Sequence, residues 1–125
     1  MGLFLRHAIV DIGSNTIRLI VFDAHKETEK LKKVLNKKYT AGLITYVHDG
    51  ELSGKGIKKL IKTLESIKNI VEELKVDTFS PFATASLRNL DNTEEVLARV
   101  KEELDIGIDV LDQVEEAFLG NVGIR

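Results

Sequence analysis

Two stretches rich in apolar residues, Leu3–Asp11 and Thr16–Phe22, stand so close together that only a tight reversal can join them. The intervening Ile12-Gly13-Ser14-Asn15 carries the glycine and asparagine that hairpin turns favour. The chain is thereby committed to a sheet from its first residues. A third strand, more polar, is expected over Leu31–Tyr39, where Val34 and Leu35 stand among lysines. Lysines on a strand suit the edge of a sheet, because charge discourages pairing with another chain.

The next stretch, Tyr39–Gly56, contains Gly42, Gly50, Gly54 and Gly56 and reads as a loop. A long helix is expected to begin near Ser53–Gly56. Ile57, Leu60, Ile61, Leu64, Ile67, Val71 and Leu74 recur at helical spacing, with lysines and glutamates on the other side. Thr78–Ala83 reads as a short strand despite Pro81. A helix follows from about Thr93, with Asn92 as its cap and Glu95 placed for a capping box. Ile106–Leu111 is extended again. Asp112 then caps a last helix, with Glu115 three residues on. The order βββαβαβα predicts an α/β fold, a mixed five-stranded sheet with helices on its faces. That order resembles a ribonuclease H-like, actin-like lobe. A length of 125 residues suits one domain over 1–125.

Composition closes off several function classes. The net charge of −2 gives no general pull towards nucleic acid or membrane. The chain has no cysteine, which removes disulfides and thiolate metal sites and suits a reducing compartment. His7, His25 and His48 show no metal-ligand spacing. No targeting segment or membrane-spanning apolar run appears, so a cytoplasmic protein is expected. The lysines from Lys26 to Lys38 are read mainly as solvated faces.

The chemistry gathers at the opening hairpin. A tight turn after a buried strand aims several backbone N–H groups into one concavity, and such nests bind anions. Gly13 lets the backbone approach a phosphate closely, while Ser14, Asn15 and Thr16 add hydroxyl and amide donors. Asp11 supplies a hard oxygen ligand suited to Mg²⁺ or its water shell. Further on, Arg88 follows the small residues Ala83-Thr84-Ala85-Ser86, and its planar fork matches phosphate oxygens bidentately.

Three segments carry a resemblance to one family. Val10-Asp11-Ile12-Gly13-Ser14-Asn15-Thr16-Ile17-Arg18 resembles the first phosphate motif of the exopolyphosphatase/guanosine-pentaphosphate phosphatase family, which belongs with the sugar kinases, Hsp70 and actin. Phe82-Ala83-Thr84-Ala85-Ser86-Leu87-Arg88-Asn89 resembles its second signature. Asp112-Gln113-Val114-Glu115-Glu116-Ala117 resembles its third, with Asp112-Gln113 where Ser-Gly is usual and Phe118 where Arg is common.

The resemblance implies a Mg²⁺-dependent hydrolase acting on polyphosphate or a guanosine penta- or tetraphosphate. It places Glu116 as the general base that activates water, Arg88 as a phosphate clamp and the Gly13–Thr16 turn as the cradle. It also implies the N-terminal lobe of a two-lobed phosphatase, whose second phosphate hairpin and lobe are not in this sequence. On that basis the chain alone is expected to be folded but catalytically feeble. A non-catalytic phosphate-binding or assembly module stays open beside the hydrolase, as does a homodimer. A kinase of the same superfamily is a weaker third, since the Arg88 signature does not belong to it.

Overall fold

Alternation along the first strand decides where the core lies. In β1 (Phe4–Ile12), Ala8, Val10 and Ile12 are fully buried, and β2 (Ile17–His25) contributes Ile17, Leu19 and Val21 to the same side. Side chains alternate across a strand, so these six residues form one face. The protein is described here by a computed structural model covering residues 2–28 and 30–112.

The two strands pair antiparallel in unbroken register from Phe4↔His25 to Ile12↔Ile17. β3 (Leu31–Tyr39) pairs antiparallel with β2 and forms the outer edge, as its lysines foretold. β6 (Thr78–Ala83) lies parallel to β1 on the other side, and β7 (Asp109–Val110) lies parallel to β6. The sheet is mixed and five-stranded, in the order β3-β2-β1-β6-β7.

The stretch read as loop is more structured than its glycines suggested. A 3-10 turn spans Leu43–Tyr46, and β4 (Val47–His48) pairs with β5 (Glu51–Leu52) as a small separate hairpin. Two-residue strands are too short to leave a periodic signature, so only the turn residues were visible.

Helix α1 (Gly54–Leu74) starts where expected, with the Ser53 hydroxyl accepting the Gly56 N–H at 3.3 Å. Ile57, Leu60, Leu64, Ile67 and Val71 are buried against the sheet. Each such side chain stabilises the fold by roughly 1.5–3 kcal/mol. A short α2 (Ala85–Arg88) and α3 (Thr93–Leu104) follow β6, and Val96, Val100 and Leu104 of α3 enter the same core. Among the described residues, both long helices therefore cover one face of the sheet. On the other face a shallow cavity of about 360 Å³ is lined by His7, Ile9, Phe22, Phe82 and Leu111 among others.

Two local expectations need correction. Asn92 stands at the N-terminus of α3, but its side chain makes no capping bond there. It reaches across to Leu52 instead, accepting that residue's N–H and donating to its carbonyl, both at 3.0 Å. The extended stretch 106–111 forms a ladder only at Asp109–Val110, opposite Phe82 and Ala83. The final helix and Glu115 lie outside the described residues.

Candidate functional site

Parallel pairing puts the ends of three strands side by side. Ile12 ends β1 beside Ala83, which ends β6, and Ala83 is beside Val110 of β7. In open α/β sheets the carboxyl ends of the strands are where ligands gather. Here those ends carry the hairpin turn, the Arg88 segment and the approach to Asp112.

The turn itself is tightly specified. Gly13 donates its N–H to the Thr16 carbonyl at 2.9 Å. A Cβ on Gly13 would sit 2.8 Å from that carbonyl oxygen, so any side chain collides with backbone. The carbonyls of Ser14 and Asn15 accept the N–H groups of Ile44 and Gly42, each at 2.8 Å. Among the described residues, the amides of Ser14, Asn15 and Thr16 meet no acceptor. Asn15 is exposed, and Ser14 and Thr16 are partly so. With the Ser14 and Asn15 carbonyls engaged by the protein, these three N–H groups are the turn's donors for an anion.

Arg88 ends α2, the short helix that follows β6. The hydroxyl of Ser86 donates to the Ile12 carbonyl at 2.5 Å, which ties the segment to the end of β1. Nη1 of Arg88 donates to the Leu111 carbonyl at 3.1 Å, and the Leu111 N–H donates to the Ala83 carbonyl at 2.8 Å. The guanidinium thus spans from the second motif to the residue before Asp112. Asp11 is exposed on the face opposite Val10 and Ile12, in register with Arg18 on β2 and Phe82 on β6. Arg18 is steadied by Asn36, which accepts from Nη1 at 2.9 Å. Asp112 is exposed and is the last described residue, so Glu116 lies outside the described residues.

A model of the Ppx/GppA phosphatase family matches residues 20–125. The chain belongs to that family. A crystal structure of the Aquifex aeolicus family member superposes with a TM-score of 0.83 at 32% identity, covering 90% of this chain and 37% of the Aquifex one. An exopolyphosphatase from Cytophaga hutchinsonii gives a TM-score of 0.81 at 26% identity, over 91% of this chain and 36% of its own. In sequence, exopolyphosphatase 1 of Mycobacterium bovis is 28% identical over 121 residues, which is 97% of this chain and 35% of that protein. The chain thus spans about a third of the length of the relatives it matches. The family model begins within β2, beyond the Gly13–Thr16 turn, whereas the mycobacterial alignment is long enough to take the turn in.

Within this Ppx/GppA domain, the fit to a divalent cation is narrow. Among the described residues, no group of three or more histidine or acidic side chains converges. A protein-only cage is therefore not offered by them. One exposed carboxylate, Asp11, fits a Mg²⁺ that keeps several waters and takes its remaining ligands from substrate phosphates. Away from the turn, at the start of β1, the Arg6 guanidinium, hydrogen-bonded to Asp23, holds that carboxyl below the usual carboxylate range.

Two contributors escaped sequence reasoning. In the sequence Ser86 is one of the small residues before Arg88, yet its hydroxyl anchors the segment to β1. Gly42 looked like loop punctuation, yet its N–H holds the turn. Gly42 was visible only as one of four glycines in a row of turns, with nothing local to single it out.

Proposed function

We propose that this domain is one wall of a phosphoanhydride hydrolase that removes the terminal phosphate of polyphosphate or of a guanosine penta- or tetraphosphate. The observation that carries the proposal is the Gly13–Thr16 turn, whose Ser14 and Asn15 carbonyls are turned into the protein while neighbouring amides are left for a ligand. In this scheme the turn grips the phosphate through backbone N–H groups, which need no reorganisation as charge develops in transfer. Arg88 adds a charged, planar donor from the adjacent strand end, steered by its bond to the Leu111 carbonyl. Mg²⁺ at Asp11 would neutralise phosphate charge when bound.

Glu116 would activate the attacking water, a role suited to a carboxylate kept ionised at neutral pH. Its assignment rests on the Glu115-Glu116-Ala117 resemblance alone. A second lobe would supply the opposite side of the cleft, since phosphoryl transfer depends on positioning from several directions.

Asp112-Gln113 in place of Ser-Gly, and Phe118 in place of Arg, favour a second reading, a phosphate-binding module without turnover. Phosphate release from polyphosphate and from guanosine pentaphosphate separates the two, measured on a two-lobed protein carrying this domain and on its Glu116→Ala version. Loss of release in the variant supports the hydrolase with Glu116 as base. Equal rates remove Glu116 from that role, and no release by either protein favours the binding module.

A further inference from the structure

A trans peptide points its carbonyl and its N–H in opposite directions. Whatever holds the Ser14 carbonyl therefore aims the Asn15 N–H, and whatever holds the Asn15 carbonyl aims the Thr16 N–H. Both carbonyls are held from one short segment, by Ile44 and Gly42 at 2.8 Å each. The segment is itself fixed. Ala41 and Leu43 on either side of Gly42 are buried in the core. Thr45 closes the turn on the Gly42 carbonyl, with its N–H at 2.9 Å and its hydroxyl at 2.7 Å.

Gly42 adopts φ 62° and ψ 38°, the left-handed region. Space is not what demands glycine here: a Cβ would meet Thr45 Oγ1 at 3.7 Å and Asn15 Oδ1 at 3.8 Å, ordinary contacts. Conformation demands it, because a residue with a Cβ is strained at positive φ, asparagine least and β-branched residues most.

We infer that residues 41–45 are a brace that aims the Asn15 and Thr16 amides at a phosphate oxyanion, and that Gly42 is its positioning residue. The inference rests on the turn being the anion cradle proposed above. It assigns the aim of the cradle to a segment 25 or more residues away in sequence, outside all three signature motifs. A backbone that left the left-handed region at residue 42 would swing its N–H off the Asn15 carbonyl. The Asn15-Thr16 peptide would then be free to rotate, and its N–H would no longer be presented.

The test compares the chain with Gly42→Asn and Gly42→Val in titrations with pyrophosphate, followed through the amide resonances of Asn15 and Thr16. The expected result is that the unaltered chain shifts both resonances and that Gly42→Asn keeps its affinity. Gly42→Val, held well below its unfolding midpoint, should lose about tenfold. Should Gly42→Val fail to fold, Gly42→Ala carries the same comparison with a smaller loss. A folded Gly42→Val or Gly42→Ala that binds pyrophosphate as tightly as the parent chain, with its Asn15 and Thr16 amides shifting alike, overturns the brace. A parent chain that shows no response at either amide overturns the cradle instead, and the brace falls with it.

Discussion

Ser86 donates its hydroxyl to the carbonyl of Ile12 at 2.5 Å, across the gap between the end of β6 and the end of β1. Ile12 immediately precedes the phosphate turn, and Ser86 lies two residues before Arg88. The bond therefore fixes the spacing between the backbone cradle and the arginine. Ser86→Ala should cost about 1 kcal/mol in urea unfolding, the usual net value of such a bond. In a two-lobed protein it should lower phosphate release further than that loss of stability explains at temperatures where the fold is intact. Unfolding at the parental midpoint would mean that the hydroxyl carries no weight.

Gly13 admits no side chain. Because the nearest atom to an added Cβ is the backbone oxygen of Thr16, at 2.8 Å, no rotamer change relieves the collision. Gly13→Ala should push the turn open, break the Gly13 N–H bond to Thr16 and cost about 1–3 kcal/mol. The pyrophosphate response of the Asn15 and Thr16 amides should vanish with it. An alanine variant of unchanged stability would show that the turn is looser than its geometry implies.

Asn92 offers a sharper discrimination. As a helix cap, asparagine and aspartate are nearly interchangeable. As a bridge to Leu52, they are not: the amide accepts from the Leu52 N–H and donates to the Leu52 carbonyl. Asn92→Asp sets a carboxylate oxygen against that carbonyl and loses a donor, so it should destabilise by about 1–3 kcal/mol. Thermal and urea unfolding of Asn92→Asp decide between the two roles, since a neutral outcome belongs to a cap.

These contrasts mark where the sequence was legible. The bounds of β3 and β6, the edge position of β3 and the buried stripe of α1 all follow from periodicity and charge, which act locally. The Gly13 turn was legible because its strands flank it directly. Asn92 does occupy the cap position of α3, but the work of its side chain was misread because its partner, Leu52, lies 40 residues away, and a side-chain bond of that span leaves no mark on neighbouring residues. Gly42 escaped for the same reason. Ile106–Leu111 reads as extended, but how much of it joins the sheet was not legible, because a ladder needs a partner strand beside it and pairs only Asp109–Val110.

The buried stripe of α1 separates folding from binding. Leu64 is fully buried between helix and sheet. Leu64→Ala should cost about 2–5 kcal/mol in unfolding, through lost burial and the cavity left behind. Because Leu64 makes no part of the turn, the folded variant should answer pyrophosphate at Asn15 and Thr16 as the parent does. A binding loss out of step with the folded fraction would show that the cradle depends on core packing rather than on its own hydrogen bonds.

The start of β1 holds a charged pair whose contribution can be read by pH. Arg6 donates from Nε and Nη2 to the two carboxylate oxygens of Asp23, at 2.8 and 3.1 Å. That hydrogen bonding is the main cause of the lowered Asp23 pKa, aided by the charges of Arg6 and Lys32 and opposed by burial. A carboxylate whose folded pKa is depressed contributes stability that is full above its unfolded pKa, about 3.9. The contribution fades as pH falls through the lower folded value. Asp23→Asn should therefore unfold earlier than the parent at pH 7, by a modest margin because the pair is partly exposed. The gap between the two unfolding midpoints should narrow steadily below about pH 4. A gap of constant size down to strong acid would mean that the shape of the asparagine, rather than the missing charge, is what the fold registers.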